Sequence, residues 1–140
     1  MKLVGLVYSI EELDNLKDKL DCVMIEVNGL SNPKFSNYDS FAMINKVNEY
    51  NLIPILKINK MVHPNEIDYV KSKLLKYINY NCLFYVTDLG VLNILKNFNV
   101  INRVIYDPIT MICNSLDAKN YYDLGVNSIG ISNEISWFSL

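Results

Sequence analysis

Short apolar runs alternate along the chain with longer stretches in which apolar positions recur three and four residues apart. A short continuous apolar run is typical of a strand buried on both faces, whereas the longer spacing is typical of a helix that packs on a sheet. Six such alternations follow one another, and a sixth helix would open at residues 132–134. The predicted strands cover residues 3–7, 22–27, 52–58, 82–86, 104–106 and 128–131.

Residues with capping side chains mark where several helices begin. Ser9 and Glu12 fit a capping box, in which a hydroxyl and a carboxylate satisfy amides of the first helical turn. Asp88 and Asn114 occupy the N-cap positions of the fourth and fifth helices. Pro54 has no N–H to donate to a β-ladder, so we expect it at the first residue of the third strand. The first three helices are predicted over about residues 9–21, 38–51 and 64–80.

The regular alternation indicates a parallel sheet, because consecutive parallel strands need a helical crossover between them. Right-handed crossovers leave two architectures, an open doubly wound sheet or part of a barrel. Tyr8, Ser9 and Ile10 follow the first strand, where a nucleotide-binding sheet would carry a glycine-rich turn, and this argues against that kind of sheet. With 140 residues, we expect one α/β domain over residues 1–140.

Composition and charge exclude several classes of protein. Hydrophobic residues make up 51% of the chain and charged residues 20%, which is typical of a globular protein. A net charge of −2 argues against an extended nucleic-acid surface, which needs clustered Lys and Arg. No apolar stretch reaches the roughly 20 residues that span a bilayer, so we expect no membrane association. Cys22, Cys82 and Cys113 are dispersed, which favours reduced thiols in a cytoplasmic protein.

Four short motifs occur in a fixed order in the second half of the chain. They are D-L-G-V at 88–91, N-S-L-D-A at 114–118, L-G-V at 124–126 and S-N-E-I at 132–135. In order and spacing they resemble the collagenase-like peptidase family U-32. That family's pattern is D-x-G, then N-S-x-x-A leading a helix, L-G-[VF] at its end, and a strand that finishes in S-x-E-[LI]. The match covers residues 82–136, and the first half of the chain matches by its period.

The resemblance implies a partial TIM-like (β/α) barrel of about six parallel βα units, truncated relative to the family. Members are peptidases of unknown catalytic type, and others act in hydroxylation of RNA bases or quinone precursors with an iron–sulfur cluster held by cysteines. The family's cysteine-bearing motifs lie beyond the matched region, and Cys22, Cys82 and Cys113 map onto none of them. We therefore expect a hydrolase or a protein related to RNA or quinone modification, with no cofactor, and leave open whether this chain is catalytic alone.

In a (β/α) barrel, the polar residues at the carboxyl ends of the strands reach the site. A ring of Glu, Lys and Asp there could carry acid–base chemistry or hold a polar ligand. Glu26 and Lys57 are the strongest candidates, because each ends an otherwise apolar strand. The candidates for catalysis are Glu26, Lys57, Asp107 and Glu134, and those for ligand binding are Asn28, Asn59, Asp88 and Asn114.

Several of these residues have a competing structural role. Asp88 and Asn114 are good N-caps, a role worth about 1 kcal/mol, and capping is the more frequent use of such residues. Glu134 falls in a first helical turn, where the helix dipole favours a carboxylate. His63 is the only histidine of the chain. One histidine and dispersed cysteines offer no metal-ligand spacing, so no metal site is predicted.

A closed barrel of this type needs eight strands, and six leave two unpaired edges. We therefore expect a homodimer, or a partner chain that completes the barrel. The expected ligand is a small polar molecule or a peptide. A rival interpretation from another class is a non-catalytic ligand-binding or regulatory (β/α) module, such as a barrel of the glycerol-uptake antiterminator kind.

Overall fold

A computed structural model describes residues 1–133 and 135, and within them strands and helices alternate as the hydrophobic pattern predicts. The strands are β1 (Val4–Leu6), β2 (Cys22–Glu26), β3 (Ile53–Ile58), β4 (Leu83–Val86), β5 (Val104–Tyr106) and β6 (Ser128–Ile129). The helices are α1 (Ile10–Leu16), α2 (Ser40–Glu49), α3 (Ile67–Leu75), α4 (Leu89–Asn97) and α5 (Ser115–Leu124), with short 3₁₀ turns at Pro64–Glu66 and Ile101–Arg103.

The six strands form one parallel sheet in the order β1-β2-β3-β4-β5-β6, so that each strand pairs with the next along the chain. Sequential order with a helical crossover at every step is the arrangement of a (β/α) barrel, whereas a doubly wound sheet reverses its order part-way. The expected partial barrel is confirmed. No described helix has the length and apolar character needed to cross a membrane.

The two faces of the sheet have different surroundings. On one face, alternate strand residues pack against the helices and are at most 2% exposed. Met24, Leu83 and Ile105 belong to the opposite face by their period-two alternation and strand register, and each is partly exposed. Helices therefore cover one side of the sheet, whereas the other side is partly exposed at these three positions and buried at Ile55 and Glu26. The residues on the helix side are Val23, Ile25, Leu56, Ile58, Phe84, Val86, Val104 and Tyr106.

The predicted helix caps are present. Ser9 Oγ accepts a hydrogen bond from the Glu12 amide at 3.1 Å, and the Glu12 carboxylate accepts one from the Tyr8 amide at 2.7 Å. Asp88 Oδ1 accepts from the Val91 amide at 3.0 Å and so caps α4. These interactions are local in sequence, which is why the residue pattern alone predicts them.

Several helices end earlier than their periodicity predicted. α1 ends at Leu16 and not near residue 21, α3 ends at Leu75 and not near residue 80, and α2 spans Ser40–Glu49 and not 38–51. After α2, Asn51 adopts φ of 57°, in the left-handed region, and the Leu52 amide turns back to the Val47 carbonyl. A residue in this conformation ends a helix while its apolar neighbours continue the pattern.

Pro54 is the second residue of β3 and not the first, opposite Val23 of β2. The Ile53 amide donates toward β2, to the Asp21 carbonyl at 3.1 Å. The next nitrogen along a parallel strand is directed toward the other neighbour, which is β4. β4 begins only at Leu83, opposite Ile55, so the proline removes no hydrogen bond from the ladder. The last strand also differs from the prediction, since β6 covers Ser128–Ile129 and not 128–131.

Candidate functional site

A row of polar side chains crosses the carboxyl ends of β2, β3 and β4. Glu26 is the register partner of Lys57, and Lys57 is the register partner of Tyr85. Register partners in a sheet present their side chains on the same face, and this row lies on the face opposite the helix-packed core. Two residues predicted from sequence, Glu26 and Lys57, are thus brought together at the expected end of the sheet.

Glu26 is a fully buried carboxylate with one oxygen satisfied and the other not. Its Oε2 accepts hydrogen bonds from the amides of Phe35 at 2.9 Å and Ser36 at 2.8 Å. Its Oε1 is buried, has no hydrogen-bond partner among the described residues, and lies 3.8 Å from Lys57 Nζ. That distance is too long for a hydrogen bond. Glu26 and Lys57 therefore attract each other as charges without closing a direct contact.

The surroundings of Glu26 set its protonation state. Burial raises the pKa of this carboxyl, but the hydrogen bonds from the Ser36 and Phe35 amides, the nearby Ser36 hydroxyl and the charge of Lys57 outweigh it. The net effect is a pKa below the ordinary 4.5. Glu26 is consequently ionised at neutral pH, and its negative charge is fixed in place by two backbone donors.

Tyr38 holds the end of β2 against the end of β1. Its hydroxyl accepts a hydrogen bond from the Glu26 amide at 2.9 Å and donates one to the Val7 carbonyl at 3.1 Å. Burial raises the pKa of Tyr38, so the phenol stays protonated and keeps its donor. The backbone of Glu26 is therefore as firmly positioned as its carboxylate.

Asp107, the third residue predicted for catalysis, follows β5 and joins the row through Tyr85. The Tyr85 hydroxyl donates to Asp107 Oδ2 at 2.9 Å, and the Ile109 amide donates to Oδ1 at 2.9 Å. Burial, and then the hydrogen bond and charge of Asp107, raise the pKa of Tyr85 to about 12. Gly130 leaves space for this carboxyl, since a Cβ there would lie 2.3 Å from Asp107 Cγ. Sequence reasoning did not single out Tyr85, which sits in an apolar strand.

The four residues predicted for ligand binding make structural contacts and do not join the row. Asn59 Nδ2 donates to the Asn32 carbonyl at 2.6 Å and its Oδ1 accepts from the Asn32 amide at 2.9 Å, which pins the loop after β2. The carbonyl of Asn28 accepts from Lys73 Nζ at 3.1 Å. Asp88 and Asn114 cap α4 and α5. Glu134, the fourth catalytic candidate, lies outside the described residues.

The cysteines do not form a ligand set. Cys22 and Cys82 are buried, Cys113 is exposed, and its Sγ lies 3.1 Å from the Thr110 carbonyl. Within residues 1–133 and 135, no three His, Cys, Asp or Glu side chains are grouped so that they could hold a metal ion. These three thiols therefore do not fit the cysteine-held iron–sulfur cluster that the sequence resemblance associates with some proteins.

Comparisons with known proteins agree with this architecture. No curated protein matches the chain. The solved structure of the U32 peptidase Mk0906 matches over 94% of this chain with a TM-score of 0.71 and 13% sequence identity, a likeness that shows the fold alone. The chain spans 58% of that structure's length. These comparisons support neither a specific hydrolase or RNA-modification activity nor an antiterminator-like barrel. The family model of Peptidase family U32 matches residues 10–140, and the chain therefore belongs to that family.

Proposed function

We propose that this protein binds a peptide or a similarly polar small molecule at the Glu26–Lys57 pair. One observation carries the proposal, namely that Glu26 Oε1 is buried without a hydrogen-bond partner among the described residues. A buried polar atom left unpaired costs about 1–3 kcal/mol. A ligand that donates a hydrogen bond to this oxygen would remove that cost, provided that the side chains around the oxygen move to admit it, because the oxygen has essentially no exposed surface in the free protein.

Lys57 supplies the second half of the site. Its side chain is 15% exposed, whereas that of Glu26 is completely buried, so Lys57 is the member of the pair that an incoming ligand meets first. Its ammonium can donate to a carbonyl or carboxylate oxygen of the ligand. The position of both residues at the carboxyl ends of parallel strands, where sites in (β/α) barrels lie, supports this assignment.

The electrostatics favour a binding role for Glu26 over proton transfer. A general acid or base works best when its pKa lies near the working pH, and the pKa of Glu26 is lowered instead. A carboxylate held ionised by two amides is suited to fix a donor group of the ligand by charge-assisted hydrogen bonding. We accordingly assign Glu26 to ligand positioning.

Peptide hydrolysis is a second candidate function, favoured by the Tyr85–Asp107 pair. Asp107 follows β5 and brings a second carboxylate to the row through its hydrogen bond with Tyr85, and the structurally similar Mk0906 is a U32 peptidase. In this role Lys57 would polarise the scissile carbonyl and Asp107 would position the attacking water. Cleavage of a fluorogenic peptide mixture, lost in Lys57→Met and Asp107→Asn, is the expected result. Cleavage that survives both substitutions would contradict it.

Binding is tested by titrating blocked amino acids (N-acetyl methylamides of Gln, Glu, Lys and Leu) and following the backbone amide NMR signals of Phe35 and Ser36. These amides bond directly to Glu26, so they report occupancy of the pair. We expect saturable shifts for at least one probe, and we expect the probe that the wild type binds most tightly to bind at least tenfold more weakly to Glu26→Gln or Lys57→Met.

The matched control is the exposed pair Lys46 and Glu49, 3.6 Å apart on α2. Lys46→Met and Glu49→Gln make the same chemical changes away from the strand ends, and we expect them to leave binding unchanged. Equal weakening in both sets of variants, or no saturable shift with any probe, would overturn the proposal.

A further inference from the structure

We propose that the group recognised between Glu26 and Lys57 is a primary carboxamide, such as the side-chain amide of glutamine or asparagine. The inference rests on the proposed binding function and names the chemistry of its ligand. It follows from three properties of the pair, which are the types of hydrogen bond it can make, its charge balance and its geometry.

The two facing atoms have opposite hydrogen-bonding capacity. An ionised carboxylate oxygen can only accept hydrogen bonds, and an ammonium can only donate them. Glu26 Oε1 and Lys57 Nζ are 3.8 Å apart, too far for a direct hydrogen bond yet close enough to be bridged by the edge of one planar group. The complementary ligand edge therefore carries an N–H donor toward Glu26 and an oxygen acceptor toward Lys57.

The charges of the pair cancel, and this favours a neutral ligand group. A ligand carboxylate that contacts Lys57 would also lie next to the Glu26 carboxylate, and a ligand ammonium that contacts Glu26 would lie next to Lys57. Either ion would meet a like charge at short range in a poorly solvated position. An amide offers a donor and an acceptor without adding net charge.

Geometry then separates two kinds of amide. In a trans peptide bond the N–H and the C=O point in opposite directions, so such a bond can satisfy Glu26 or Lys57 but not both. A primary carboxamide has one N–H on the same edge as its oxygen, and this edge can meet both residues at once. Its second N–H is directed elsewhere, so the contacts with Glu26 and Lys57 do not use it.

The test compares three probes that share a backbone, namely the N-acetyl methylamides of glutamine, of glutamate and of glutamine carrying a methyl group on its side-chain nitrogen. The methylated probe keeps one N–H, but a secondary amide places it away from the oxygen. We expect the glutamine probe to bind at least tenfold more tightly than either other probe, as measured by the shifts of the Phe35 and Ser36 amides.

Glu26→Gln supplies a sharper test because the two backbone amides fix the orientation of the new side chain. The oxygen of the introduced carboxamide must accept from Phe35 and Ser36, which places its NH₂ where Oε1 was. Two donors then face the ligand, so the preference should invert, and the glutamate probe should bind more tightly than the glutamine probe. Binding of the glutamate probe by Glu26→Gln would also show that this variant is folded, which a loss of binding would not show.

The outcomes separate the inference from the function on which it rests. If the wild type binds all three probes equally or prefers glutamate, the carboxamide inference is wrong while the binding site stands. Retention of the glutamine preference in Glu26→Gln would also overturn the inference. If no probe shifts the Phe35 and Ser36 amides in either protein, the proposed function itself fails.

Discussion

Glu26 and Lys57 face each other across β2 and β3 with 3.8 Å between Oε1 and Nζ, as opposite charges that make no direct hydrogen bond. The carboxylate is held from behind by the amides of Phe35 and Ser36, and the lysine extends from its own strand. The pair therefore combines a rigid acceptor with an adjustable donor.

Glu26 should make a pH-dependent contribution to stability. Its folded pKa is lowered, so this contribution is fully present above the ordinary pKa of 4.5 and is lost as the pH falls through the lower folded value. We expect Glu26→Gln to cost about 2 kcal/mol at pH 7, because hydrogen bonds to a charged group are replaced by weaker ones. Urea unfolding between pH 7 and pH 3 should show the two proteins converging in acid.

Glu49→Gln is the control for this prediction, since the Glu49 side chain is 66% exposed. A difference between wild type and Glu26→Gln that is constant across the pH range would contradict the assignment of Glu26 as a hydrogen-bonded anion.

Tyr85 should ionise only in strong alkali. Its pKa is raised to about 12 by burial and by Asp107, compared with an ordinary value of 10. A raised pKa stabilises the fold fully below pH 10, and this contribution is lost as the pH rises through about 12. Subtracting the alkaline absorbance titration of Tyr85→Phe from that of the wild type should leave a step near pH 12. A step near pH 10 would contradict both causes of the raised pKa, namely burial of the phenol and its hydrogen bond with Asp107.

Gly130→Ala should destabilise the fold and disturb the Asp107 carboxyl. The added Cβ would lie 2.3 Å from Asp107 Cγ and 2.5 Å from Oδ1, so that side chain must move. Overpacking of this kind costs about 1–3 kcal/mol. Chemical denaturation of Gly130→Ala, Asp107→Ala and the double variant measures the coupling. The methyl group should cost much less when Asp107 is already alanine, and a cost independent of residue 107 would refute the steric cause.

Arg103 should be a strong stabiliser, because its guanidinium joins the turn after α3 to β5. It donates to the carbonyls of Cys82 at 2.8 Å, Ile78 at 2.6 Å and Tyr80 at 2.6 Å, and lies 5.0 Å from the centre of the Phe84 ring. Arg103→Met leaves three carbonyls without this donor, and we expect a loss of about 3 kcal/mol. Arg103→Lys should recover only part of it, because an ammonium cannot reproduce the planar fork. Full recovery of stability in Arg103→Lys would mean that the positive charge alone, and not the planar guanidinium, stabilises this turn.

We predict that the protein self-associates, because its partial barrel is open. Among the residues that the structure describes, β1 and β6 form the edges of the sheet, and Val4 on β1 is 45% exposed. Unpaired strand edges invite pairing with another chain. We expect light scattering on a sizing column to give a mass above the 16.2 kDa of one chain, and Val4→Lys to lower it. Leu116→Lys, which changes a 69% exposed residue of α5, is the control, and a monodisperse wild-type monomer would contradict the prediction.

The sequence by itself determined the alternation of strands and helices, because burial of a sheet and one-sided packing of helices impose different periods on apolar residues. It also determined the caps at Ser9 and Asp88, which depend on hydrogen bonds within one helical turn. The position of Glu26 and Lys57 at one edge of the sheet was also predictable, because each is a charge at the end of an apolar strand and parallel strands end at one edge.

Only the tertiary structure decided which of these polar residues lie side by side. Tyr85 lies within the apolar run L-F-Y-V and is indistinguishable there from core, until strand register places it beside Lys57 and within reach of Asp107. Asn59 follows β3 at the edge where ligand-binding residues are expected. Its side chain instead bonds to Asn32, 27 positions away, and holds the loop there. Contacts between distant positions depend on register and loop closure, and no local pattern of residues encodes them.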